Sequence, residues 1–136
     1  MKKIIEIEEL QKCSCCNLRL MARELTNEYN NNLKYSGINS TQIPILAILN
    51  IYGQVETSKI ASLLNLEIST VRRNLSILIK KKLIKVIQRN VIGNLHSLSN
   101  EGSIKLKEIL PAWRKSNKLG KKKIKHYIKV LKTISK

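Results

Sequence analysis

Between Thr57 and Lys81 the apolar residues fall on two helical stripes broken by one short turn, and this pattern narrows the available folds more than any other feature. Ile60, Ala61 and Leu64 recur at the spacing of one helix face, and Val71, Leu75 and Leu78 recur on a second. Asn65 stands where the chain must reverse, and after glycine asparagine best tolerates a left-handed backbone. Leu66 is expected to plug that turn into the core, and Ala61 is small where the two helices approach. A short helix bracing a second one is the arrangement that lays a helix in the major groove of a duplex.

The second helix of this pair, about 68–81, is expected to turn Ser69, Thr70, Arg72, Arg73, Asn74 and Ser76 outward. Hydroxyls, amides and guanidinium groups suit base edges and phosphates, and arginine can grip guanine with two hydrogen bonds. Beyond Leu83, weak alternation to Ile87, turn residues around Gly93 and renewed alternation over Leu95–Leu98 predict a two-stranded hairpin. Upstream, Leu18, Met21, Ala22, Leu25, Tyr29 and Leu33 form one helical stripe. Ser40 is placed to cap another helix carrying Ile43, Leu46 and Leu49, which Gly53 ends. Downstream, Ser99 is placed to cap a helix that Pro111 should kink or interrupt. Gly120 should then separate a last helix striped with Ile124, Tyr127, Ile128, Leu131 and Ile134. The fold class expected is mainly α with a small β-hairpin, in a single domain over 1–136. Its DNA-binding core would span 38–101, flanked by helical segments over 1–37 and 102–136.

Charge names the kind of partner. Lys and Arg number 26 against nine acids, all Glu, a net charge of +17. Residues 1–70 are balanced, so the whole excess lies in 71–136, and no acid occurs between Ile68 and Asn100. Codon bias toward lysine would not sort charge between halves. A polyanion is implied, nucleic acid first and an anionic membrane surface second. The last stripe lacks the aromatic depth of an interfacial anchor, and no run approaches the roughly 18 apolar residues of a membrane span. A cytoplasmic protein without a membrane partner is therefore expected. The few aromatics argue against a platform for stacking single strands.

The run "LLNLEISTVRRNLSILIKKKLI" followed by "SLSNEG" resembles the helix-turn-helix, wing and wing exit of MarR-type regulators. "LRLMARELTNEYNNNLKYSGINSTQ" resembles their first helix and its lead into the second, and "LPAWRK" the Pro–x–Trp step after the wing. The resemblance spans roughly Cys13 to Lys118. It implies a winged helix-turn-helix homodimer whose terminal helices interlock, and which sets two recognition helices on a palindrome of double-stranded DNA. The implied activity is transcriptional regulation, as a repressor released by a small ligand or by oxidation. Carried onto this chain, the contacts implied are Ser69, Thr70, Arg72, Arg73 and Asn74 on the recognition helix and Arg89 at the wing. Thr57 or Ser58 would add phosphate contacts from the helix before. The wing tip departs from the pattern: the usual Asp–Arg pair is replaced by Asn90, Val91 and Ile92. Glu56 and Glu67 occupy the two helix-cap positions. A non-specific basic nucleic-acid binder, associated with the nucleoid or RNA, is the alternative.

Cys13, Cys15 and Cys16 stand at the entrance to the first long helix. In peroxide-sensing MarR-type proteins a reactive cysteine matches Cys15, held by tyrosines that match Tyr29, retained here, and Ser40, where the tyrosine is lost. Cys15 with Tyr29 is thus the candidate redox sensor, beside the simpler reading of inert thiols. Zinc would want four ligands, and only the distant His96 and His126 could join, so no metal is expected. A Cys15 nucleophile with either histidine is the single enzyme reading the residues offer. With no Asp, no acid pair and no Gly-rich phosphate loop, no catalytic activity and no cofactor are expected.

Overall fold

The computed structural model describes residues 1–89 and 93–136; Asn90, Val91 and Ile92, where the wing tip departs from the resembled pattern, lie outside the described residues. The elements run α1 (Ile7–Gln11), α2 (Ser14–Leu33), α3 (Ile43–Tyr52), β1 (Gln54–Glu56), α4 (Thr57–Leu64), α5 (Ile68–Lys80), β2 (Ile84–Arg89), β3 (Asn94–Leu98) and α6 (Asn100–Ile134). They form two compact units. One is Leu33–Pro111; the other joins Met1–Asn32 to Ala112–Lys136.

The Leu33–Pro111 unit is built on aliphatic side chains. Leu33, Ile43, Ile45, Leu46, Leu49, Ile60, Val71, Leu78 and Ile109 are almost wholly withdrawn from solvent, each burial favourable by roughly 1.5–3 kcal/mol. Its sheet is antiparallel, in the order β1-β3-β2. The predicted hairpin is its β2–β3 half, bulged between Val86 and Gln88. Sequence reading missed β1, whose three residues alternate exposed, buried, exposed, because so short an alternation carries no periodicity of its own.

Both helices of the Thr57–Lys81 pair form close to their predicted bounds. Asn65 adopts φ 51°, ψ 49°, and the N–H of Leu66 closes onto the Ala61 carbonyl at 3.0 Å. Leu66 itself does not plug the corner: it is 39% exposed, whereas Ile60, Ala61 and Val71 are buried. At the far end of α5 the N–H groups of Lys82 and Leu83 reach back to Ile79 and Leu78, with Lys82 at φ 62°. This is the left-handed helix stop that glycine usually supplies.

Two expectations about the C-terminal half are corrected. Pro111 does not interrupt α6, and Gly120 does not separate a further helix; α6 is one helix of 35 residues. The missing N–H of Pro111 costs about 3 kcal/mol in a helix interior, a penalty that burial of Leu106 and Ile109 in the preceding turns can offset. Gly120 is buried because α2 passes close: an added Cβ would lie 3.2 Å from the Tyr29 Oη and 3.3 Å from a Leu25 methyl. The start of α6 is as predicted, with the Ser99 Oγ accepting from the Gly102 N–H at 2.9 Å. For α3 the expected cap shifts from Ser40 to Gln42, with Pro44 in the first turn.

Candidate nucleic-acid interface

The outward face of α5 carries Ser69, Arg72, Arg73 and Ser76, all exposed, with Thr70 half-buried. Beneath it Val71, Leu75 and Leu78 are buried, so the helix is fixed on one side and its cations are exposed on the other. Glu67 precedes the helix in extended conformation and makes no side-chain cap; its carbonyl accepts from the Thr70 and Val71 N–H groups at 3.1 and 3.2 Å. Ser58 is exposed in the first turn of α4, and Arg89 is exposed at the end of β2.

Two of the sequence-predicted residues are placed differently. Asn74 was expected outward but is buried; its Nδ2 donates to the Thr70 carbonyl at 3.1 Å, and the Thr41 hydroxyl donates to its Oδ1 at 3.5 Å. The spacing explains this: Val71, Asn74, Leu75 and Leu78 follow the i, i+3, i+4, i+7 rule of one face. The polar identity of Asn74 hid a position that its register placed inside. Thr57 is likewise buried, its Oγ1 3.0 Å from the Nε2 of His96. Its side chain is committed inward, leaving Ser58 as the exposed hydroxyl of the pair.

Sequence reading weighed His96 only as a remote zinc ligand or a partner for Cys15, and its place is different. It sits mid-strand in β3, opposite Val55 on β1 and Val86 on β2, and is 3% exposed. Burial, with the Arg89 charge adding to it, holds its pKa below the ordinary 6.5, so the ring is neutral near pH 7. Of the lysine run, Lys81 donates to the Gly37 carbonyl, which gives it a structural task, while Lys80 and Lys82 are exposed.

At the entrance to α2, the Cys16 N–H points to the Cys13 Sγ at 3.4 Å. That contact, with the Cys16 thiol as a second donor, lowers the Cys13 pKa; the Cys16 thiol, donating to Cys13, is raised. Cys15 is exposed. The Tyr29 hydroxyl donates to the Asn117 Oδ1 at 3.3 Å, and burial raises its pKa. Among the described residues, no group of three or more His, Cys, Asp or Glu side chains is placed to hold a metal ion. Among them too, no helix is long and apolar enough to cross a membrane.

No protein-family model matches the chain, and comparison with curated proteins finds no match. Solved structures do match. The transcriptional regulator MosR of M. tuberculosis, solved in complex with DNA, is 27% identical over 77% of each chain, with a TM-score of 0.69. BpsR of Bordetella bronchiseptica, whose DNA binding is regulated by 6-hydroxynicotinic acid, matches over 98% of each chain at 16% identity and a TM-score of 0.75. A MarR variant from E. coli complexed with operator DNA is 15% identical over 84% of this chain and 79% of its own, with a TM-score of 0.65. The chain therefore has the winged helix-turn-helix fold of these MarR-type regulators.

Proposed function

We propose that this protein is a sequence-specific double-stranded-DNA-binding transcription regulator. The observation that carries the reading is the two-sided α5: Arg72 and Arg73 exposed on a helix whose other face is locked by Val71, Leu75 and Leu78. Ser69, Thr70, Arg72 and Arg73 would read bases and phosphates, Ser58 would bind phosphate, and Arg89 would reach the backbone or minor groove beside the ribbon. The MosR and MarR variant structures with DNA support that use of the fold. The protein acts by binding and not by catalysis, in the cytoplasm, as a repressor.

A homodimer would present two such helices to a palindrome. It is supported by an apolar groove of about 230 Å³ between α2 and α6, lined by Leu18, Leu25, Ile124, Tyr127, Ile128 and Leu131. Leu18, Ile124 and Ile128 stay 46–54% exposed there, which leaves an apolar patch for a second copy to cover. Release from DNA would follow binding of a small ligand or oxidation at the Cys13–Cys16 cluster. Selection of bound duplexes from a random pool tests the function. Enrichment of one palindrome supports it; recovery of unrelated duplexes in equal amounts would establish general nucleic-acid binding instead.

A further inference from the structure

The positive charge of the chain is not concentrated where its helix-turn-helix lies. The Leu33–Pro111 unit holds eleven lysine and arginine residues against four Glu, and residues 1–32 are balanced, whereas 112–136 hold ten cations and no acid. More than half of the +17 excess therefore lies outside the unit that carries α5.

These cations are in register. Lys115, Lys118, Lys122, Lys125, Lys129 and Lys132 follow one another along α6 at alternating steps of three and four residues, and all six are exposed. At 3.6 residues per turn they fall within a sector of about 100° and run for about 26 Å. The opposite side of this stretch is fixed on α2. The Asn32 Nδ2 donates to the Ser116 Oγ at 2.8 Å, Lys123 pairs with Glu28, and the Tyr127 hydroxyl donates to the Glu24 Oε2 at 3.1 Å. Among the described residues, Lys123 is the one cation of 112–136 that forms an ion pair.

Like charges at such spacings repel along a helix, and a solvated face relieves this by interleaving glutamates. None is interleaved here, so the ladder finds its counter-charge only in an external polyanion. Its chemistry selects which one. Ammonium groups on flexible stems neutralise phosphates but lack the planar fork that reads bases. An interfacial membrane helix needs a free apolar face, and Ile124, Tyr127 and Leu131 are turned to the groove with α2. A single strand needs aromatic platforms, and Trp113 and Tyr127 fall on the other side of the helix from the lysines. A duplex backbone needs neither, and a length equal to the ladder presents about 15 phosphates.

We propose that the lysine face of α6 is a second DNA-binding surface, which grips the phosphate backbone of a duplex without reading its sequence. The choice of DNA among polyphosphates rests on the DNA-binding reading of α5; the affinity of the ladder for duplex phosphate does not. Sequence preference then belongs to α5, and a large share of the salt-dependent affinity to α6.

The test measures anisotropy of a scrambled duplex of about 30 base pairs with the full chain, between about 50 and 200 mM salt. Each lysine that meets a phosphate adds about 0.9 to the slope of log affinity on log salt. Lys118→Gln/Lys125→Gln/Lys132→Gln and, independently, Lys115→Gln/Lys122→Gln/Lys129→Gln should each make that slope shallower by about 2–3, and each should keep the preference for a selected palindrome. Either triple decides the matter should the other fail to fold. Lys2→Gln/Lys3→Gln/Lys12→Gln removes equal charge from exposed positions off the ladder and should leave the slope unchanged. The ladder is overturned if neither triple changes the slope, or if the control lowers it as much. It is overturned equally if the triples lose only binding to duplex RNA or to phosphatidylserine vesicles. Absence of a preferred palindrome in the native chain bears on α5 alone, so a failed regulator and a failed ladder give different results.

Discussion

Gly102 sits where the first turn of α6 meets the end of α5: a Cβ there would collide with the Leu83 carbonyl and come within 3.0 Å of a Leu98 methyl. Backbone cannot yield as a side-chain tip can. Gly102→Ala should cost about 2–3 kcal/mol, as overpacking against fixed structure does, read as a lower urea midpoint at unchanged slope. Lys82 is the converse case, an L-residue held at φ 62°. Lys82→Gly should stabilise by about 0.5–1 kcal/mol by removing left-handed strain. Buried His96 has its pKa lowered first by burial and then by Arg89. The unfolded chain therefore binds more protons than the folded one, and stability falls as pH drops below 6.5 toward the folded value. Between pH 7.5 and pH 5.5 the urea midpoint of the native protein should drop more than that of His96→Gln; equal drops would assign the acid sensitivity elsewhere. At the α2 entrance the Cys13 thiolate should persist to lower pH than that of Cys16, because the Cys16 N–H and thiol both stabilise it. Iodoacetamide labelling followed by peptide mass analysis should find Cys13 modified first as pH rises.

Elements with a full period of buried residues were legible from sequence. Those whose identity depends on a neighbour were not. The helix pair 57–80 declares itself because Ile60, Ala61, Val71, Leu75 and Leu78 repeat at helical spacing around one left-handed Asn65. The interface face followed from the same register, with Asn74 misplaced when its amide was weighed above its position. Strand β1 exists only because β3 pairs with it, through Val55 and His96, and three residues cannot announce that. Gly120 reads locally as a break, but its buried position is set by Tyr29 and Leu25, some 90 residues away along the chain. His96 was read only as a distant metal or catalytic partner because its neighbours Thr57 and Arg89 are brought to it only by the fold. Within α5, Asn74→Ala should lower stability by about 1 kcal/mol through its lost hydrogen bonds, while Arg72→Ala and Arg73→Ala leave stability nearly unchanged and weaken duplex binding. Side-by-side urea and anisotropy titrations separate these outcomes.

For the molecule as a whole, the excess of +17 lies entirely in 71–136, so attraction to any duplex will be strong at low salt and fall steeply as salt rises. Affinity alone therefore says little about function; preference does. The groove of Leu18, Ile124 and Ile128 predicts a dimer by sedimentation, and Ile128→Glu should shift it toward monomer and weaken palindrome binding more than half-site binding. The most direct measurement of the central claim compares the selected palindrome with a scrambled duplex near physiological salt, for the native chain and for an Arg72→Ala/Arg73→Ala variant. The account predicts a preference on the order of a thousandfold or more, largely lost in the variant. Equal affinity of the native chain for both duplexes, or an undiminished preference in the variant, would contradict it.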